Sequence, residues 1–295
     1  MMRSWLSRVS GLLLFLQSAL IVTGGAVRLT GSGLGCPTWP ECTKGSYVPV
    51  AHQVEGPLHA WIEFGNRLLT FALVITAVAT LIIVIRKARK DLRLLAIGQV
   101  LGIFAQGVLG GITVLTKLNP IPVAGHFLLS IALVAGAARI YAHRGAPEIA
   151  ATPPSGIINS FRKIHLLLTL LVIILGTIVT GSGPHAGDIQ ARRFGFDPRL
   201  VSWIHADTVI ALLGLTLALY VATLENKAIN GAVKRFGVVA LAQGAIGYVQ
   251  YFTKLPILLV GAHLLGATLV WIYAFRIHLA FTSSTAEISR SEQKG

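Results

Sequence analysis

Four histidines stand inside long apolar runs: His59, His126, His205 and His263. Ionisable side chains in such runs are expensive and mark function more often than packing. Two of them end similar segments. Gln106 to His126 reads "QGVLGGITVLTKLNPIPVAGH", and Gln243 to His263 reads "QGAIGYVQYFTKLPILLVGAH". Both begin Gln-Gly, both carry Thr-Lys-Leu at one offset, and both reach His twenty residues after the Gln. Neutral imidazoles entering from two helices at one depth can hold a planar cofactor and ligate haem iron from both sides. His205, at the start of the sixth run, pairs with His263 in this way. The plainer use of each His is a bond to a backbone carbonyl or a lipid headgroup.

Glu63 is the carboxylate best placed for chemistry. His59, Glu63 and Asn66, at spacings of four and seven, share one helical face. A carboxylate there could accept a proton or orient an oxygen species. Arg67, directly downstream, offers it an ordinary ion pair instead. Asp207 points elsewhere and has no role. His52, His143, His165, His185 and His278 fall in loops or near helix ends and read as interfacial or solvated.

The elements that must position these residues follow from composition. Of 295 residues 54% are hydrophobic and 12% charged, where soluble domains carry about 25% charged. Eight apolar runs are each long enough to cross a bilayer: roughly 9–28, 60–85, 94–115, 122–142, 164–182, 202–224, 236–253 and 256–280. The first, behind Arg3 and Arg8, is too long for a signal peptide and lacks a small-residue cleavage site. The chain is therefore expected to be an all-α polytopic membrane protein of eight transmembrane helices.

The net charge of +14 marks topology rather than a nucleic-acid partner. With both termini cytoplasmic, seventeen Lys and Arg lie on the inner side and eight on the outer, the bias expected of cytoplasmic loops, with some attraction to anionic lipid. The loop 29–58 then faces outside, where disulfides persist. It holds "GSGLGCPTWPEC", with the chain's only cysteines, Cys36 and Cys42. Five residues with two prolines between them favour a disulfide. There is no C-x-x-C-H for covalent haem, and two thiolates without a further ligand make a poor metal site. The bridge either staples the loop or has a redox role.

The repeat divides the chain into two tandem, pseudo-symmetric four-helix bundles: 1–142 and 164–281, joined by a Pro-rich cytoplasmic linker 143–163 and followed by a tail, 282–295, that reads as disordered. "IVTGG" from Ile21 and "IVTGS" from Ile178 are a second match. Four crossings separate the halves, so the duplication is parallel. Glycines such as Gly110, Gly111 and Gly247 read as sites of close helix packing.

Together these features resemble the haem A synthase family, enzymes that oxidise a methyl group of haem O to a formyl group. The resemblance covers nearly the whole chain: eight helices in two halves, "GGAVRLTGSGLGCPTWPEC" after the first, Glu-x-x-x-Arg in the second, and a His opening the fourth and eighth. It implies a resident haem b held by His205 and His263 in the C-terminal half. It also implies substrate haem O in the N-terminal half, at His126 with Glu63 beside the reacting methyl. Two hydroxylations would give a geminal diol that loses water to the aldehyde. A haem O synthase is the implied pathway partner; the electron donor is not implied. The family pattern is Glu-x-x-His-Arg, whereas this chain reads "EFGNR", an actinobacterial-like variant with Asn66 in place of the His. An Asn amide is not a haem ligand, so the N-terminal half uses His126 alone or with His59, about 10 Å further along the axis at 1.5 Å per residue. The second half lacks the cysteine pair that some members carry. The cysteine loop could cover the substrate site or pass electrons, the cover role being preferred. A non-catalytic bis-His b-type cytochrome in quinol-linked electron transfer is the alternative, and a transporter the third.

Overall fold

The computed structural model describes residues 2–145, 156–189 and 191–292, with side-chain surroundings for 5–145, 156–189 and 191–281. Eight helices follow one another: α1 (Met2–Leu29), α2 (Pro57–Arg86), α3 (Lys90–Leu115), α4 (Pro120–Ala142), α5 (Ile157–Ser182), α6 (Pro198–Ala222), α7 (Lys227–Phe252) and α8 (Ile257–Glu292). Proline opens α2, α4 and α6, where its missing N–H leaves no helical bond unmade. Asn119 and Asn226 cap α4 and α7, their side chains accepting from the N–H of Ile121 and Ile229 at 3.0 and 3.1 Å.

Several helices outrun their apolar runs. α1 begins at Met2 and α5 at Ile157, taking in Arg3, Arg8, Arg162 and Lys163. Hydropathy marks the stretch that can sit in hydrocarbon; the backbone continues helical beyond it. α8 runs to Glu292, through most of the segment expected to be disordered, because no Gly or Pro interrupts it after Phe281. Much of the expected linker, residues 146–155, lies outside the described residues.

Seven helices are long and apolar enough to span a membrane, all but α7. α7 has the length, but Lys234, Arg235, Gln243 and Gln250 dilute its apolar character. Large apolar side chains such as Phe71, Trp203 and Leu258 face outward, as lipid-facing residues must. This is a multi-pass membrane protein.

The repeated Thr-Lys-Leu is a turn. Lys117 and Leu118, and equally Lys254 and Leu255, hold φ between 52° and 63°. Left-handed backbone costs a non-glycine residue roughly 1–2 kcal/mol, and here it occurs twice in succession in each half. A backbone bond closes each turn: Leu118 N–H to Thr113 and Leu255 N–H to Gln250, both at 2.8 Å. The similar segments therefore record two identical helical hairpins, α3–α4 and α7–α8.

Contacts group the helices in fours. One core joins α1 to α4 through Leu13, Ala77, Ile103 and Ala137. The other joins α5 to α8 through Val172, Leu219, Phe236 and Ala274. Two compact units result: residues 1–144 with 176–201, and 145–175 with 202–295. The end of α5 and the α5–α6 loop thus belong with the first four helices. Arg28 donates there to the carbonyls of Thr180 and His185, and Gly33 N–H donates to Gly187 O at 3.0 Å.

A buried polar chain crosses the first unit. Gln17 Nε2 donates to Gln99 Oε1 at 2.9 Å, and Gln99 Nε2 donates to the Leu133 carbonyl at 3.0 Å. Interhelical bonds of this kind contribute about 1 kcal/mol in a bilayer. Gln99→Leu, which strands Gln17, is expected to lower unfolding stability by about that amount in a detergent titration.

Candidate functional site

In the first unit the helix-two residues are tied to the disulfide loop. Cys36 and Cys42 are bonded and fully buried. Glu63, 6% exposed, accepts the Cys36 N–H on Oε2 at 2.7 Å. Its Oε1 accepts from Arg67 Nη2 at 2.6 Å and Nε at 3.2 Å. Arg67 also donates to the carbonyls of Cys36, Thr38 and Glu41, at 3.0 to 3.2 Å. The pair that looked like a plain i, i+4 bridge is the clasp holding the loop on α2. From that loop Trp39 lies against Gly111 of α3, where a Cβ would collide with its ring. Gly111 adjoins Gly110, whose missing Cβ would sit 3.3 Å from the His126 Cε1. The loop therefore reaches the helix that backs His126.

The shared face of His59, Glu63 and Asn66 does not make one cluster. Asn66 accepts from Thr23 Oγ1 of α1 at 2.7 Å, within the "IVTGG" motif. His59 Nδ1 pairs with Ser32 Oγ at 2.9 Å. It lines a cavity of about 630 Å³ whose charged walls are Arg28, Arg193, Glu55 and Asp188. His126 is not among the lining residues. Gly35 also lines it and touches the His59 backbone so closely that no side chain fits.

His126 is half-buried on α4, and its buried Nδ1 has no hydrogen-bond partner. Gln106 Nε2 donates to its backbone carbonyl at 3.0 Å and to Ser130 Oγ at 2.6 Å.

The second unit brings its two sequence-predicted histidines together. His205 of α6 and His263 of α8 are electrostatic neighbours. Nδ1 of each ring is buried and makes no hydrogen bond. Gln243 Nε2 donates to the His263 backbone carbonyl at 2.7 Å. A Cβ on Gly247 would lie 3.1 Å from His263 Cε1. His126 and His263 are each the seventh residue of their helix, each backed by Gly and Gln from the preceding one. Glycines read from sequence as helix-packing sites are, at Gly110 and Gly247, shelves for imidazoles. Only the equal offsets in both halves signalled this.

One histidine is corrected outright. His165, read as interfacial, is 1% exposed. Its Nε2 meets Thr216 Oγ1 at 3.2 Å, and its ring packs edge-on against Phe236 at 4.5 Å. It sits about two turns inside α5, between Ile164 and Leu166, so a core partner was available that the linear position hid.

Among the described residues, no group of three or more His, Cys, Asp or Glu could hold a metal ion. Paired imidazoles can serve only a metal that brings its other ligands, as iron in a porphyrin does. Buried ring nitrogens without hydrogen-bond partners, on helices of apolar residues, fit that group.

A sequence model of the cytochrome oxidase assembly protein family, COX15-CtaA, matches residues 7–275. The chain belongs to this family. Its relatives include proteins named "Heme A synthase". That of Shewanella oneidensis is 30% identical over 200 residues, 61% of this chain and 56% of that protein. That of Geobacillus thermodenitrificans is 34% identical over 113 residues, 36% and 32% of the two chains. That of a Methylobacterium species is 28% identical over 323 residues, 87% and 88%. Against the first of these, the chain spans about half the relative's length.

Proposed function

We propose that this COX15-CtaA protein is a haem A synthase, oxidising a methyl group of haem O to a formyl group by successive hydroxylations. The observation that carries the reading is the pair His205 and His263, half-buried on different helices of one unit, each with a buried Nδ1 left over. They are proposed as axial ligands of a resident haem b in the C-terminal half, 164–281. The N-terminal half, 1–142, is proposed to take haem O at His126, in the variant form with Asn66 beside α1. A bound haem supplies the redox chemistry, and the protein supplies position and electrostatics.

The protein's own contributions are specific. His126 is presented at the start of α4 by the Gly110 shelf. His59 is tied to Ser32 at the other cavity, so His126 is proposed as the single protein ligand there. The loop bearing Trp39 covers the α3 side of His126 and restricts water. Glu63 is proposed as the proton acceptor. An ionised carboxylate offers about four lone-pair sites, and Glu63 uses both on Oε1 but only one on Oε2. One site is free, and the Arg67 and Cys36 bonds hold it in a fixed direction.

The Lys and Arg distribution supports cytoplasmic termini and an extracytoplasmic cysteine loop in a cell membrane. A haem O synthase is the proposed supplier of substrate, and a separate electron donor is required.

The test is expression with a haem O synthase in a host lacking haem A, followed by haem extraction. Haem A or its hydroxylated intermediate supports the reading. Haem B retained on the protein with haem O unchanged favours the bis-His cytochrome. Glu63→Gln is expected to cut haem A formation by about 10²-fold or more while the disulfide and the C-terminal haem persist. Formation at the wild-type rate removes the proposed role.

A further inference from the structure

We infer that Gln243 is a positioning residue for the His263 imidazole, and that Gln106 does the same for His126. The inference rests on the reading of these histidines as haem ligands.

Gln243 reaches His263 through its side chain, whose Nε2 donates to the His263 backbone carbonyl at 2.7 Å. Gln106 repeats the side-chain bond to His126 at 3.0 Å. A carbonyl inside a helix already receives the N–H four residues on. A second donor from a neighbouring helix is not needed to satisfy it. What the bond does is fix α7 against α8, and α3 against α4, at the level of the imidazole.

Stability alone does not explain a glutamine here. In both halves its Oε1 is buried without a partner, and a buried unpaired amide oxygen is a cost. Leucine would pack in the same apolar run without that cost. The two halves nevertheless keep the same Gln, with Gly one turn later against the ring and His as the seventh residue of the next helix. Gly266 makes the arrangement possible, since a Cβ there would overlap the Gln243 amide. Ligating histidines are commonly oriented by a bond to the second ring nitrogen, and loss of such orienting groups weakens metal binding about 10–100-fold. Here Nδ1 of His126 and His263 lacks a well-formed bond. Orientation falls instead to the glutamine brace and the glycine shelf.

The test uses the full-length protein purified with its haem. Gln243→Leu removes the donor, and Gly266→Ala keeps the donor but displaces it. Alanine for glycine in a helix is otherwise favourable by about 1 kcal/mol, so harm from Gly266→Ala reports the collision. Both are expected to lose haem to apomyoglobin about tenfold faster and to show an altered low-spin electron paramagnetic resonance signal and a shifted midpoint potential. Gly266→Ala added to Gln243→Ala is expected to do no further harm, because its collision partner is gone. Haem-loaded variants with lowered melting temperature but unchanged spectrum, potential and haem loss overturn the brace alone. Wild-type protein that takes up no haem overturns the ligand reading and the brace with it.

Discussion

His263→Ala protein, purified from membranes, is expected to hold no haem in its C-terminal unit, and His205→Ala the same. Each imidazole supplies one face of the proposed site, and no cluster of three or more metal-binding side chains stands ready among the described residues. Removing an orienting group costs 10–100-fold in metal affinity; removing the ligand itself costs more. The space left beside Gly247 fits free imidazole, so added imidazole is expected to restore part of the haem absorbance to His263→Ala. The control is His165→Ala in the same unit. His165 is buried more deeply, and its Nε2 meets Thr216 and its ring packs on Phe236. That variant is expected to keep its haem and lose stability, by about 2–5 kcal/mol as for other large-to-small core changes. Haem content and melting temperature measured on all three proteins separate ligand from core residue. A His263→Ala protein that retains haem with a bis-His spectrum sinks the assignment.

Arg67→Met is expected to be the most damaging single change in the first unit. It removes the donors to Glu63 and to three loop carbonyls at once. The side chain of Arg67 is 23% exposed and that of Glu63 8%, so the carboxylate left behind is desolvated and has lost its charged partner. Breaking such a buried pair from one side costs about 3–5 kcal/mol. Adding Glu63→Gln to Arg67→Met is expected to recover part of the loss, since no charge is then stranded, and the double variant is therefore more stable than Arg67→Met alone. Detergent titration of the four proteins of this cycle measures the coupling. The loop should also become open to protease in Arg67→Met while Cys36–Cys42 stays closed. Additive effects across the cycle exclude the clasp.

The two experiments address different halves and different kinds of interaction. In the second unit the protein holds imidazoles lightly, which leaves ring nitrogens for a ligand. In the first unit it fills three of the four acceptor sites of a carboxylate, which leaves it one direction in which to act. His126 and His263 hang on the same frame, a helical hairpin closed by two left-handed residues in each Thr-Lys-Leu segment.

The sequence by itself determined the helices, the membrane class, the repeat and the disulfide. Apolar runs have a length set by the bilayer, repeats are compared letter by letter, and two cysteines six residues apart lie within reach of each other. It also singled out His126 and His263, because the repeat matches them, and His205 as a second histidine in an apolar run of the same half as His263. Only the tertiary structure decided what lies opposite each face. Helical periodicity put His59, Glu63 and Asn66 on one side of α2, yet their partners are Ser32, Cys36 and Thr23, from the loop and from α1. It placed His165 near a helix end, yet Thr216 and Phe236 close over it. It showed Gly110 and Gly247 as small residues without showing that imidazoles fill the space. Periodicity reports the direction a side chain takes from its own helix. The partner it meets depends on how separate helices pack, and no spacing within one helix carries that information.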